Sequence, residues 1–291
     1  MVEKIVADLA KKNDFSEQME FQKKSNSIGI FDSGFGGLTV MKAIREALPF
    51  ENLIYFGDTA RIPYGTKSGE TILRYAIQNT SFLIDQNIKA LVVACHTACC
   101  LSLEKLQELF PIPIIGVTHP AVEQVANLAY AKNIAVLGTR STIASGLYQN
   151  LLKERCQGAH ITGIACQLLV SLVEEGFTDH PLTRLAIQEY LQSLSSVDTI
   201  LLGCTHFPLL STQIRNHFSH PVTLIDPALG CASALSDLLT KLDLKNPSLT
   251  PPTYQFYASD APEKFQTLGE RFFSHPIPHV QKVDPSLFQL K

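Results

Sequence analysis

The chain has 291 residues, 45% hydrophobic and 18% charged, which is enough for one large or two ordinary domains. A formal net charge of -3 leaves no electrostatic footprint for a nucleic acid or a membrane surface. No apolar run is long enough to span a bilayer and residues 1–25 lack the apolar centre of a signal peptide, so the chain is predicted to be cytoplasmic, with its seven cysteines as reduced thiols.

Residues 1–26 stand apart. Ile5 and Leu9 followed by charged residues fit a short amphipathic helix or a loose tail, and a partly ordered extension is expected. Strands and helices then alternate. A predicted strand over 28–31 runs into Asp32-Ser-Gly-Phe-Gly-Gly37, followed by a helix to about Leu48. A strand over 53–56 ends in Gly57-Asp58, and the turn-rich stretch Arg61-Ile-Pro-Tyr-Gly65 precedes a helix over about 69–87. A strand over 90–94 stops at Cys95, a helix runs through Leu109, and a strand covers 114–117. This alternation predicts a parallel sheet covered by helices.

The pattern then starts again, with strands over 134–137, 161–165, 199–202 and 222–225. The second series trails the first by a nearly constant offset, pairing Ile28 with Ile134, Ile54 with Ile161, Leu91 with Ile200 and Ile114 with Thr223. Under that alignment Cys95 falls on Cys204. The expectation is an internal duplication: two similar α/β domains with parallel sheets, a pseudo-twofold relation and a site in the cleft between them. The predicted division is an extension over 1–26, a first domain over 27–118 plus 225–291, and a second over 119–224. A helical pattern over 228–242, a Pro-rich linker at 247–252, a strand over 254–258 and a helix over 263–273 close the chain.

Two apolar runs carry the chemistry. Leu91-Val-Val-Ala-Cys-His-Thr-Ala98 and Ile200-Leu-Leu-Gly-Cys-Thr-His-Phe207 each read as a buried parallel strand that stops at a cysteine. Ligands of open α/β sheets sit beyond the carboxyl ends of the strands, so Cys95 and Cys204 are placed where reactions occur. A helix N-terminus after such a thiol lowers its pKa, which predicts thiols that exchange protons near neutrality, one giving while the other takes. Cys99, Cys100, Cys156, Cys166 and Cys231 read as small apolar residues. Zinc could draw on Cys95, His96, Cys99, Cys100, Cys204 and His206, but no C-x-x-C unit occurs, and a redox pair meets the same objection. A single nucleophilic thiol would leave its twin unexplained.

Asp32-Ser-Gly-Phe-Gly-Gly37 is not a dinucleotide or P-loop fingerprint, and its leading carboxylate suits an ammonium better than a phosphate. Pro63-Tyr-Gly65 reads either as a plain turn or as a nest of N–H groups for a carboxylate. His206, two residues after Cys204, is a candidate proton-transfer assistant.

The segments Asp32-Ser-Gly-Phe-Gly-Gly37, Pro63-Tyr-Gly65, Ala94-Cys-His-Thr-Ala98, Gly138-Thr139 and Gly203-Cys-Thr-His-Phe-Pro208 resemble, in order and spacing, the motifs of bacterial glutamate racemases. The resemblance runs from about Ser27 to near the C-terminus. It implies a cofactor-independent enzyme, with neither metal nor pyridoxal phosphate, that interconverts L- and D-glutamate for peptidoglycan. It implies that Cys95 deprotonates D-glutamate with help from Asp32, and that Cys204 deprotonates L-glutamate with help from His206 and Glu174. It implies a substrate site lined by Asp32, Ser33, Tyr64, Gly65, His96, Thr97, Thr139, Thr142, Thr205 and His206, and a homodimer with no nucleic-acid or membrane partner. One position departs from the pattern. The family usually has Asn where this chain has His96, so a catalytically impaired binding or regulatory homologue is one alternative; a racemase of another acidic amino acid is the other.

Overall fold

A computed structural model describes residues 22–287, and the expected N-terminal extension lies mostly outside the described residues. Two all-parallel sheets organise them. The first has six strands in the order β10-β9-β2-β1-β3-β4, formed by β1 (Ile28–Asp32), β2 (Leu53–Gly57), β3 (Ala90–Val93), β4 (Ile114–Gly116), β9 (Tyr254–Ala258) and β10 (Gln281–Lys282). The second has four, β6-β5-β7-β8, formed by β5 (Asn133–Gly138), β6 (His160–Ala165), β7 (Thr199–Gly203) and β8 (Thr223–Ile225). β1, β2, β3 and β7 are buried along their whole length, as strands covered by helices on both faces must be.

The order β2-β1-β3-β4 repeats as β6-β5-β7-β8, so the two series share one topology. The registers correct two of the expected equivalences. Gly29 pairs with Leu91 and Ala135 with Ile200, which keeps Leu91 opposite Ile200 in the comparison. Gly29 pairs with Ile54, however, and Ala135 with Thr162, so Ile54 corresponds to Thr162 rather than Ile161. Likewise Leu91 pairs with Ile114 and Ile200 with Leu224, so Ile114 corresponds to Leu224 rather than Thr223. Strands apolar on both faces carry no alternation that would fix register from sequence.

One apolar core joins the two sheets. Ala135, Leu137, Ile200 and Leu202, on one face of the second sheet, are continuous with Ile30, Phe31, Val92 and Ala94 of the first. The opposite face, with Ile134, Val136 and Leu201, has its own cluster around Val122, Tyr148 and Leu152. Alternate residues of one strand thus serve different cores. In each sheet the direction of winding reverses beside the central strand, and the residues following those strand ends meet at one cleft. Among the described residues no helix is long and apolar enough to cross a membrane.

Candidate active site

β3 stops at Val93, and Ala94 leads to Cys95 at the entrance to α3 (His96–Leu109). β7 stops at Gly203, and Cys204 opens a tight turn into the short 3-10 helix Phe207–Leu210. Both thiols line a single cavity of about 250 Å³. Ser33, Tyr64, Gly65, His96, Thr97, Thr139, Glu174, Thr205 and His206 line it as well. Asp32 and Thr142 stand behind this lining: Asp32 is 1% exposed, and the Thr142 hydroxyl is 3.1 Å from that of Thr97 and 2.9 Å from that of Thr139.

The two thiols have different surroundings. Around Cys95, burial first and then the negative charge of Asp32 push the thiol up to about 12, against the opposing pull of the Ala98 N–H and of the Ser33 hydroxyl and N–H. The sequence-based expectation of a lowered pKa is therefore reversed at Cys95, because desolvation outweighs the helix start. Asp32 accepts the Gly34 N–H at 2.9 Å through Oδ2, while its buried Oδ1 has no hydrogen-bond partner among the described residues. Burial raises its pKa, partly offset by the charge of His206.

Beside Cys204 stands an imidazole held at both nitrogens. His206 Nδ1 is 3.8 Å from the Cys204 sulfur, and Nε2 is 3.0 Å from Oε1 of Glu174. Burial disfavours its charge, but the hydrogen bonds to Cys204 and Glu174 prevail and push His206 up to about 10. At neutral pH it is an imidazolium, donating from both ring nitrogens. The Thr39 hydroxyl donates to the Thr205 carbonyl at 3.3 Å and steadies the same turn from the first sheet.

The cleft walls are built from small and polar groups in close approach. The stretch after Asp58 turns at Pro63 into the 3-10 helix Tyr64–Thr66. The Tyr64 side chain points inward, its hydroxyl donating to the Asp58 carboxylate and accepting from Asn79 at 3.1 Å. Asp58 also accepts from Arg61 Nε at 2.6 Å and from the Ser259 hydroxyl at 3.0 Å. Tyr64 and Gly65 line the cleft beside that network. A Cβ on Gly65 would lie 2.5 Å from Cβ of Thr139, so the two walls meet there without room for a side chain. Thr139 caps the short helix Arg140–Ala144, and Ser141 donates to the Gly65 carbonyl at 2.9 Å. The first N–H groups of α3 are free of helical partners and give the cleft an anion-binding end. His96 lines the cavity, but its Nδ1 is 2.7 Å from the hydroxyl of Tyr148, and burial lowers its pKa to about 3.

Gln167, Val170 and Ser171 also line the cavity and were not singled out from sequence. They lie on α7 (Gln167–Glu174), and their spacing to Glu174 puts all four on one face. With Glu174 as a candidate, that spacing is a readable signal in the sequence. Cys99, Cys166 and Cys231 are buried and Cys100 and Cys156 half-buried, none of them lining the cavity.

The chain resembles characterised families along most of its length. Residues 28–234 match the family model described as Asp/Glu/hydantoin racemase. A glutamate racemase of Syntrophus aciditrophicus is 44% identical over 258 residues, covering 88% of this chain and 96% of that protein. One of Geobacter metallireducens is 42% identical over 259 residues, covering 88% of this chain and 96% of that protein. The crystal structure of glutamate racemase from Francisella tularensis in complex with D-glutamate superposes with a TM-score of 0.85 at 38% identity, covering 90% of this chain and 98% of that one.

Proposed function

The chain belongs to the Asp/Glu/hydantoin racemase family, and from that membership we propose that it is a glutamate racemase in which Cys95 and Cys204 exchange one proton each with opposite faces of the substrate α-carbon. The observation that carries the mechanism is the lining of one cavity by two thiols from equivalent strand ends of the two sheets. Inversion at an α-carbon needs a base on one face and an acid on the other.

In the L-to-D direction Cys204, as thiolate, takes the α-proton: the C–H bond breaks, an S–H bond forms, and the electron pair stays on the substrate. Cys95, held as a thiol, then gives its proton to the other face of the carbanion. In the D-to-L direction the roles exchange. The imidazolium of His206, paired with Glu174, places positive charge beside Cys204 and negative charge farther out. The same arrangement loads the resting enzyme for L-glutamate, with an acid at Cys95 and a charge partner at Cys204.

Ser33 lies on the Cys95 side of the cavity and suits the substrate ammonium, with the negative charge of Asp32 buried behind it. The backbone of Tyr64 and Gly65 suits the side-chain carboxylate. The start of α3 suits the α-carboxylate, where N–H donors and the helix dipole stabilise charge that develops in the transition state. The hydroxyls of Thr97, Thr139, Thr142 and Thr205 complete a polar frame. No resident metal or cofactor enters these steps. We further propose the domain division over 27–118 with 225–291 and over 119–224, a cytoplasmic location, a homodimer, and peptidoglycan precursors as the use of D-glutamate.

A circular-dichroism assay on L-glutamate, D-glutamate and L-aspartate tests the reading. Racemisation of both glutamate enantiomers and not of aspartate is expected, with loss of about 1,000-fold or more in Cys95→Ala and in Cys204→Ala. Either variant keeping wild-type activity would overturn the two-thiol assignment.

A further inference from the structure

Tyr148 stands beside the neighbours of both thiols. It is fully buried on the helix Leu147–Arg155, in the core cluster on the far side of the second sheet. Its hydroxyl is 2.7 Å from Nδ1 of His96, the residue that follows Cys95. Its ring passes beside Gly203, the residue that precedes Cys204, where an added Cβ would stand 3.5 Å from the ring Cε2. The His96 and Tyr148 rings have centroids 6.0 Å apart at an interplanar angle of 33°, so the imidazole is braced by the phenol as well as bonded to it.

We propose that Tyr148 and His96 are positioning residues, a buried strut that sets the separation of Cys95 and Cys204 across the cavity. This rests on the two-thiol reading given above. One end of the strut is anchored where α3 begins, and the other stands beside the last residue of β7, with room for no more than a methyl group between them. Racemisation requires both sulfurs within reach of one α-carbon, and misplacing a reacting group by about 1 Å can cost about 100-fold. The strut is made of uncharged groups. Burial keeps His96 neutral and keeps Tyr148 well above its ordinary range, so the bond does not titrate at working pH. Neither residue has to touch glutamate for this role.

The competing role for His96 is direct contact with substrate through Nε2, and side-chain geometry separates the two. The amide group of Asn reaches the place of Nδ1, whereas the amide of Gln reaches the place of Nε2. His96→Asn therefore keeps a partner for the Tyr148 hydroxyl, and His96→Gln keeps a partner for the cavity. The experiment measures kcat, KM, pH profile and melting temperature for wild type, Tyr148→Phe, His96→Asn and His96→Gln, starting from each glutamate enantiomer.

The strut predicts a fall in kcat of about 10-fold to 100-fold in Tyr148→Phe and His96→Gln, with KM changed less than about 3-fold and the pH midpoints unmoved. It predicts that His96→Asn exceeds His96→Gln in kcat by at least about 10-fold. His96→Gln matching or exceeding His96→Asn would overturn it, as would a folded Tyr148→Phe with wild-type kcat. The His96 pair decides the matter should Tyr148→Phe fail to fold. The Cys95→Ala and Cys204→Ala variants, assayed alongside, separate the two levels. Activity in those variants defeats the two-thiol reading, whereas their inactivity beside a fully active Tyr148→Phe defeats the strut alone.

Discussion

The imidazole of His206 stands 3.0 Å from the carboxylate of Glu174, on the side of the ring away from Cys204. Together with the hydrogen bond to Cys204, this contact turns a buried histidine, which desolvation alone would keep neutral, into a cation pushed up to about 10. Glu174 reaches it from α7 across the cavity, so the helix that carries the acidic partner also supplies one wall of the substrate site.

Replacing Glu174 by Gln removes the carboxylate that, together with Cys204, holds this proton. The His206 pKa must then fall, and the alkaline limb of kcat/KM should move to lower pH by about one unit or more. The sign for stability follows from the same shift. The folded value, about 10, lies above the ordinary histidine value of 6.5, so the stabilisation is complete below about pH 6.5 and is lost as pH rises through about 10. A Glu174→Gln enzyme whose alkaline limb coincides with that of wild type would show that the pair does not control catalysis.

Gly36 marks where the first unit presses on the Cys204 turn. A Cβ there would lie 2.3 Å from the Thr205 hydroxyl oxygen and 2.6 Å from the His206 ring. Gly36→Ala should therefore displace the turn, lowering kcat/KM by about 100-fold and stability by about 1–3 kcal/mol. Steady-state kinetics and urea unfolding read the two effects. Wild-type kinetics in the alanine variant would mean that the turn yields without moving the thiol.

His96 gives the protein an acid sensitivity of its own. Its folded pKa is lowered by burial from 6.5 to about 3, so between those values the unfolded chain binds a proton that the native state does not. Stability from this site is intact above pH 6.5 and is lost as pH falls toward 3, with a slope of at most about 1.4 kcal/mol per pH unit. His96→Asn, which cannot titrate, should lose less stability between pH 7 and pH 5 in urea unfolding. Parallel stability curves for the two proteins would contradict a buried neutral His96.

Much of this was legible in the chain because the fold writes its sheets as uninterrupted apolar runs. Leu91–Val93 and Ile200–Leu202 could only be buried strands, and a cysteine at each end stood out against them. The same uniformity conceals register, which is why the observed counterparts of Ile54 and Ile114 lie one residue from the expected ones. The protonation of Cys95 was not legible, since burial by distant residues sets it and its local sequence, a helix start, argues the other way. Tyr148 escaped notice for a related reason. A tyrosine in a helix reads as core, and only tertiary packing brings its hydroxyl to His96. Gln167 and Ser171 were hidden by a helix in which Glu174 alone carried a chemical signal.

The central claim is that two thiols act from opposite faces, and isotope exchange tests it most directly. In heavy water, L-glutamate should give D-glutamate that carries deuterium at the α-carbon from the first turnovers, while the recovered L-glutamate stays unlabelled. Starting from D-glutamate, the mirror result is expected, with label entering the L product first. Deuterium appearing in recovered substrate as fast as in product would mean that one base both removes and returns the proton, and would contradict the account.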